Sequence, residues 1–258
     1  MNRFDIKVFK TSKDKDYRKQ YLNQEFLLPP FRVVIVGATG SGKTNLIKNI
    51  LFNKSFGFRD YFDNGFIFIG SGDDYREYSK LANTLTSREY NEKTRDYFKS
   101  KKIPLTDKYQ IEQSTTEEDL LDIYNELESN DYDNESTIFI FDDMITDKLL
   151  KNAYQMNVID KLFVQGRHIN ASTIISTQKL KAVKSNLRYT NSSHLILFFG
   201  ISSADLLVVA KENSNFLDET TIIDLYHQHA NKPYKFIIIY QKNPTGRYIQ
   251  NSDGEWIA

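Results

Sequence analysis

Cysteine is absent from the 258 residues, and the sequence has neither an excess of one charge nor a long hydrophobic run. Without cysteine the chain forms no disulfide scaffold and no thiolate metal site. Lysine plus arginine and aspartate plus glutamate number 34 each, which excludes a uniformly basic coating protein but not a local nucleic-acid track. No segment reaches the roughly 18 uninterrupted apolar residues of a membrane span. The N-terminus lacks the apolar region of a secretory signal, so we expect a protein that is not secreted.

Short apolar runs alternate with helical patterns from residue 31 onward, which predicts a mainly parallel sheet flanked by helices in one α/β domain. The runs are apolar at successive positions, as expected for strands covered on both faces. Pro29-Pro30 separates this domain (31–243) from the N-terminal segment (1–30). We interpret that segment as an arm or a short leading strand at 6–9. Residues 244–258 are interpreted as a C-terminal tail or a small hairpin. The predicted strands are residues 33–36, 66–69, 138–141, 173–176, 195–199 and 236–240.

Helical patterns and an uneven charge distribution occupy the longer intervals. Helices are predicted at residues 75–85 and 87–99, and a solvated acidic helix at 117–128. Residues 112–135 contain ten acidic side chains and no Lys or Arg, whereas residues 161–188 contain six Lys or Arg and no acid. The net charge of zero hides this asymmetry.

A phosphate-binding loop follows the first predicted strand. The sequence GATGSGKT matches G-x-x-x-x-G-K-[ST] at every fixed position. Its glycines allow successive backbone N–H groups to curl around a phosphate, and the helix predicted at 45–53 directs its positive end to the same anion. We expect Lys43 to reach the β- and γ-phosphates and the Thr44 hydroxyl to bind Mg²⁺. The residues assigned to nucleotide binding are Gly37, Ala38, Thr39, Gly40, Ser41, Gly42, Lys43 and Thr44.

Two carboxylates, Asp142 and Asp143, directly follow the apolar run at 138–141. A carboxylate at such a strand end holds Mg²⁺ in enzymes with this loop, and we assign that role to Asp142. A second acid polarises the attacking water, which is the role assigned to Asp143, although Glu is the commoner residue there. The alternative is a helix N-cap formed by Asp143 or Thr146. Two adjacent acids favour hydrolysis over transfer to a small acceptor.

The run at residues 173–176 is the candidate for a strand inserted between the loop strand and the acidic strand. It is followed by Thr177 and Gln178. At that strand tip the amide of Gln178 would face the γ-phosphate and sense it or orient the water. The alternative is a glutamine that begins a surface loop.

Four segments together resemble the poxvirus-type genome-packaging ATPases of large DNA viruses and virophages, within the HerA/FtsK superfamily of P-loop motors. They read FRVVIVGATGSGKTNL, TIFIFDD, GRHINASTIISTQ and NLRYTNSSHLILFF. The most distinctive part runs from Gly166-Arg167-His168 to Gln178. The resemblance covers residues 31–199 and implies a RecA/FtsK-like P-loop NTPase fold with an additional strand between the P-loop and acidic strands.

The resemblance also implies an activity and partners. It implies an ATPase that uses ATP and Mg²⁺ to drive double-stranded DNA into a capsid, working as a homo-oligomeric ring, a pentamer or hexamer. Capsid or portal-vertex proteins are the implied partners, in the virion or the host-cell cytoplasm. In such a ring an arginine of the neighbouring subunit neutralises charge on the transferred phosphoryl group. Arg167 is the first candidate and Arg188 the second, the alternative for each being a surface charge or a DNA phosphate contact.

Three lysines that closely follow Gln178 are candidates for DNA contact. Lys179, Lys181 and Lys184 could move with a nucleotide-dependent shift at Gln178, and phosphate contacts are independent of sequence, as a translocase requires. The alternative is a set of solubilising lysines on a helix.

Two other functions are compatible with a phosphate-binding loop. A nucleotide or small-molecule kinase would need an acceptor pocket and an Arg-rich lid, and the arginines of this sequence are sparse and scattered. The second alternative function is that of a switch protein, which binds nucleotide without turnover. The acidic pair argues against this alternative.

Overall fold

The computed structural model describes residues 26–56, 58–88, 102–129, 135–144, 156–215, 217–241 and 248–258. The strands are β1 (Arg32–Val36), β2 (Asn64–Ile69), β3 (Thr86–Arg88), β4 (Lys102–Pro104), β5 (Tyr109–Glu112), β6 (Thr137–Asp142), β7 (Ala171–Thr177), β8 (His194–Phe198), β9 (Phe236–Tyr240) and β10 (Ile249–Asn251). The helices are α1 (Lys43–Phe52), α2 (Gly72–Thr84), α3 (Glu117–Ser129), α4 (Val158–Gln165), α5 (Ser203–Glu212) and α6 (Glu219–His229).

The main sheet has the strand order β10-β9-β8-β1-β7-β6-β2-β5. Strand β1 pairs in parallel with β7 and β8, and β6 pairs in parallel with β7 and β2. Strands β9 and β10 are antiparallel additions at one edge. Strand β7 therefore lies between β1 and β6, which confirms the predicted α/β fold with an inserted strand.

The register of the central strands aligns their carboxyl ends. Val36 pairs with Thr177, and Ser176 pairs with Asp142. The residues that follow these strands therefore start from the same edge of the sheet. We call this the carboxyl edge, and the opposite one the amino edge.

Both faces of the sheet are buried, which explains the unbroken apolar runs. Val33 and Ile35 point into a core that includes residues of α1 and α2. Val34 and Val36 point into a second core, which includes residues of α3, α4, α5 and α6. Each strand thus needs apolar side chains at successive positions.

The predicted strands and helices are largely confirmed. Each predicted strand of the domain overlaps a strand of the sheet, although β8 ends one residue early, at Phe198. The helix predicted at residues 87–99 is wrong at its start, because Thr86–Arg88 pairs with Lys102–Pro104 as a two-stranded ribbon. The remainder of that prediction, residues 89–99, lies outside the described residues, as do the leading strand at 6–9 and Thr146.

The carboxyl-terminal residues form a hairpin and not a loose tail. Ile249 pairs with Ile239, and Gln250 forms a bridge with Trp256. Within the described residues, the helices are all too short or too polar to cross a bilayer.

Candidate nucleotide-binding and catalytic site

The loop between β1 and α1 has the backbone conformation that its glycines allow. Gly42, immediately before α1, has φ 112°, a left-handed conformation that L side chains rarely adopt. A Cβ on Gly37 would lie 2.5 Å from Phe198 Cβ, so the loop packs directly on β8. Helix α1 begins at Lys43, so its first N–H groups face the inside of the loop. This is the arrangement expected of a phosphate cradle.

Lys43 lies within this loop and is 6% exposed. Its Nζ donates to the carbonyl oxygens of Gly37 at 2.8 Å and Ala38 at 3.0 Å. Burial lowers the pKa of the Lys43 ammonium, while the carboxylates of Asp143 and Asp142 oppose that shift. The Lys43 ammonium is therefore held near the acidic pair, where phosphate oxygens of a nucleotide would compete with the two carbonyl oxygens for its hydrogen bonds.

Asp142 is 1% exposed at the end of β6 and forms one side of the site. The Tyr78 hydroxyl donates to its Oδ2 at 3.1 Å, whereas its Oδ1 has no hydrogen-bond partner among the described residues. Burial raises the pKa of Asp142, and the hydroxyl groups of Ser176 and Thr44 oppose the rise by stabilising the charged form. A buried carboxylate oxygen without a partner beside a threonine hydroxyl fits a Mg²⁺ ligand set.

Asp143 and Gln178 are joined to the P-loop by a chain of hydrogen bonds. Gln178 Nε2 donates to Asp143 Oδ2 at 2.8 Å, and Thr39 Oγ1 donates to Gln178 Oε1 at 3.0 Å. Asp143 has φ 54°, and a Cβ on Gly70 would lie 2.3 Å from the Asp143 carbonyl oxygen. Gly70 thus leaves the room that lets Asp143 turn out of the strand toward Gln178. The predicted residues of three separate segments are brought together here.

A buried group on α1 and α2 supports the site and was missed by the sequence analysis. Lys48 is 4% exposed and forms ion pairs with Glu77 and, at 3.7 Å, with Asp74. Its Nζ also lies 4.9 Å from the centre of the Tyr78 ring. The available signal was a lysine within the apolar sequence of α1, NLIKNILF, which points to a charged partner in the core.

Arg167 is exposed at the amino edge of the sheet, in a short 3-10 helix (Gly166–Ile169) that precedes β7. Strand β7 has seven residues and so spans about 23 Å, which separates Arg167 from its own P-loop. Arg32 is near, since burial and then the charge of Arg167 lower the pKa of Arg32. No described carboxylate forms an ion pair with Arg167.

Arg188 has a different environment from Arg167. It is 8% exposed, and its Nε and Nη2 donate to the two carboxylate oxygens of Glu212 at 3.0 and 2.6 Å. Its Nη1 also donates to the Val183 carbonyl oxygen. The guanidinium is thus engaged within its own chain, and a role in a neighbouring subunit would require this pair to open.

The three lysines proposed for DNA contact also differ from one another. Lys179 and Lys181 are exposed. Lys184 is directed inward, since its Nζ lies 2.6 Å from Asp160 Oδ2 and that carboxyl side chain is 3% exposed. The segment is not the helix considered from the sequence, because only a short 3-10 turn (Leu180–Ala182) is present.

Comparison with solved structures identifies relatives of the fold. The genome packaging NTPase B204 from Sulfolobus turreted icosahedral virus 2, in complex with ATP-gammaS, is 19% identical, with 90% of this chain and 100% of that chain covered and a TM-score of 0.58. The cytoplasmic domain of the type VII secretion ATPase EccC from Thermomonospora curvata is 12% identical, covering 87% of this chain and 25% of that one, with a TM-score of 0.52. B204 has also been solved with AMPPCP and with AMP. At these identities the similarity concerns the fold.

The family assignment comes from the sequence itself. No curated protein matches this chain. The family model described as "Poxvirus A32 protein" matches residues 18–247, which is most of the 258 residues. The resemblance to poxvirus-type packaging ATPases is therefore confirmed, and this chain belongs to the poxvirus A32 protein family.

Proposed function

We propose that this protein hydrolyses ATP and uses the energy to drive double-stranded viral DNA into a capsid. The observation that carries the proposal is the hydrogen-bonded chain from Thr39 through Gln178 to Asp143, which connects the P-loop to a candidate base. Such a chain could couple nucleotide state to hydrolysis, because a glutamine beside the γ-phosphate can orient the attacking water.

Nucleotide binding follows from the loop and helix α1. The N–H groups of Gly37, Ala38 and Ser41 donate to backbone carbonyl oxygens, so we expect those of residues 39, 40 and 42–44 to bind the phosphates. The positive end of the helix dipole would face the same phosphates. Lys43 is placed to exchange its two carbonyl acceptors for β- and γ-phosphate oxygens. Because the ammonium is already buried, it loses little hydration when the phosphates arrive.

Thr44 and Asp142 would hold Mg²⁺, and the unpaired Asp142 Oδ1 supports this assignment. When bound, the metal neutralises charge that develops on the β- and γ-phosphate oxygens. Tyr78 keeps the carboxylate in place by its hydrogen bond to Oδ2. This hydrogen bond thereby fixes the orientation of the Asp142 carboxylate toward the metal site.

Asp143 is the proposed general base. Its Oδ1 has no hydrogen-bond partner among the described residues and is therefore able to accept a proton from the attacking water. Gln178 holds the other carboxylate oxygen and contacts the P-loop through Thr39, so it is placed to respond to the γ-phosphate. Loss of that phosphate would change the position of Gln178.

Arg167 is the proposed arginine that neutralises charge on the nucleotide bound to a neighbouring subunit. Its position at the amino edge, about 23 Å along β7 from its own P-loop, argues against action within its own subunit and supports action in another. The absence of an ion pair to a described carboxylate leaves its charge available. This role requires a homo-oligomer, and we propose a ring of five or six subunits.

Movement at Gln178 would be passed to DNA through the residues after it. Lys179 directly follows Gln178, and both Lys179 and Lys181 are exposed, so they are the proposed DNA phosphate contacts. Lys184 is the weaker candidate because of its ion pair with Asp160. The ring would work at the capsid or portal vertex, in the virion or the cytoplasm of the infected cell.

DNA-stimulated hydrolysis tests the proposed function. Phosphate release is measured against protein concentration with and without double-stranded DNA, and light scattering gives the oligomer mass at each concentration. We expect turnover per subunit to rise with ring formation and with DNA, and to fall to background for Lys43→Ala. Turnover that responds to neither DNA nor concentration would contradict the proposal.

A further inference from the structure

We propose that Tyr234 is the stacking platform for the purine base of the bound nucleotide. This inference rests on the proposed function, because it names the residue that completes the same site. Tyr234 lies in the connection between α6 and β9, which the sequence analysis did not connect with the P-loop. Its ring nonetheless lies against Gly42, directly before Lys43.

The sheet topology brings this connection to the carboxyl edge. Strand β9 is antiparallel to β8, with Phe236 opposite Phe198. The beginning of β9 therefore lies at the same edge as the end of β8, beside the P-loop. Tyr234, two residues before Phe236, reaches the loop from the β8 and β9 side.

The contact between Tyr234 and the P-loop is direct and specific. The Tyr234 N–H donates to the Ser41 carbonyl oxygen at 2.8 Å. A Cβ on Gly42 would lie 2.7 Å from Tyr234 Cδ1, so only glycine leaves room for the ring. The ring is thus placed at the mouth of the loop, next to the first turn of α1.

The connection is held firmly on its other side. The Lys235 carbonyl oxygen accepts from the Phe199 N–H at 3.1 Å, and Lys235 Nζ lies 2.6 Å from Asp253 Oδ2. Pro233 precedes Tyr234 and restricts the backbone further. A platform for a ligand needs this rigidity, because an ordered ring loses little conformational entropy on binding.

Folding alone does not explain the conformation of Tyr234. Its backbone has φ 67°, which costs an aromatic residue about 1–3 kcal/mol. Tyr234 is 55% exposed, so burial of the ring offsets only part of that cost. No other aromatic ring stacks on it among the described residues. A strained and exposed aromatic residue against a nucleotide loop is better explained by a ligand than by packing.

The expected orientation of the nucleotide also puts its base near Tyr234. Gln178 and Asp143 follow β7 and β6, so the γ-phosphate end of the site lies on that side of β1. A bound triphosphate therefore extends its ribose and base toward the opposite side of β1, where β8 and β9 lie. Tyr234 is an exposed aromatic residue whose ring contacts the P-loop on that side.

Stacking defines what the site recognises. Every base has a π face, and stacking on an aromatic side chain contributes about 1–3 kcal/mol per base. The platform therefore binds adenine and guanine alike and adds nothing to the binding of a phosphate chain that has no base. This difference separates a base platform from a residue that only shapes the loop.

The experiment measures binding by calorimetry with Mg²⁺ and three probes, ATPγS, GTPγS and inorganic tripolyphosphate. Tyr234→Ala removes the ring, and Tyr234→Phe retains it. Tyr189→Ala is the matched control, because Tyr189 lies in the segment Asn186–Asn191 before β8, at the amino edge. For Tyr234→Ala we expect Kd to rise about 10-fold for both nucleotides and to stay unchanged for tripolyphosphate. Tyr234→Phe and the control should match the wild type.

Three results would overturn the inference. Equal losses for nucleotides and tripolyphosphate would mean that Tyr234 only shapes the P-loop. Unchanged nucleotide affinity in Tyr234→Ala would exclude a base platform. It would exclude one even if the same variant bound DNA more weakly. If the wild-type protein binds none of the three probes, the proposed function fails as well. Failure of the inference alone would leave wild-type binding of the nucleotides intact.

Discussion

Replacing Tyr78 by Phe removes one hydroxyl from the core and tests how the charge of Asp142, the proposed Mg²⁺ ligand, is stabilised. The hydroxyl donates to Asp142 Oδ2 at 3.1 Å, and the ring is fully buried and can stay in place. A hydrogen bond to a charged group contributes about 1.5–3 kcal/mol. Asp142 is 1% exposed, so water does not replace the lost donor. The substitution therefore destabilises the charged form of Asp142 by about that amount.

The effect on activity has a definite sign. Burial already raises the pKa of Asp142, and loss of the Tyr78 hydrogen bond raises it further. Because Asp142 must be charged to hold Mg²⁺, activity falls as the pH drops through this pKa. The acid limb of the pH–rate profile therefore moves to higher pH in Tyr78→Phe. On that limb the rate falls by about 10-fold or more, and well above it the two proteins converge.

The assay is ATP hydrolysis at saturating ATP and Mg²⁺ from about pH 5 to pH 9. Tyr124→Phe is the matched control, since its hydroxyl donates to neutral Gln165 at 3.1 Å on the other face of the sheet. The control should leave the acid limb where it is. Superimposable profiles for Tyr78→Phe and wild type would mean that the Tyr78 hydroxyl does not control the charge of Asp142, and so would a uniform loss at every pH.

Further substitutions test the remaining roles. Lys43→Ala should abolish hydrolysis and most nucleotide binding, because it removes the charge that faces the phosphates; wild-type turnover would contradict the P-loop assignment. Asp143→Asn should bind ATP but turn over roughly 100-fold more slowly, whereas Asp142→Asn should alter Mg²⁺ dependence; equal, mild effects of both would indicate a capping role. Arg167→Ala should bind ATP and lose about 1,000-fold in rate. Mixing Arg167→Ala with Lys43→Ala subunits should restore part of the activity, and if mixed rings form without recovery, the same mixture with Arg188→Ala tests the other arginine.

The strands and the P-loop could be predicted because their signals are local. A strand covered on both faces requires apolar residues at successive positions, as in residues 33–36. The ribbon of Thr86–Arg88 with Lys102–Pro104 could not be predicted in this way, because a helical pattern covers residues 87–99 and the pairing joins segments separated in the sequence. Lys184 shows the same limit, since its partner Asp160 lies on another element.

The phosphate cradle, the acidic pair and Gln178 could be predicted from the sequence, and so could the family. The P-loop signal depends on consecutive residues at a fixed spacing, and the acidic pair and Gln178 are assigned their roles because they occur in the same sequence as that loop. The fold is needed to see that Tyr78 donates to Asp142, that Arg188 is paired with Glu212, and that Tyr234 lies on Gly42. These contacts join elements far apart in the chain. Their physical cause is the order and direction of the strands, which place residues at the same edge without leaving a pattern in the sequence between them.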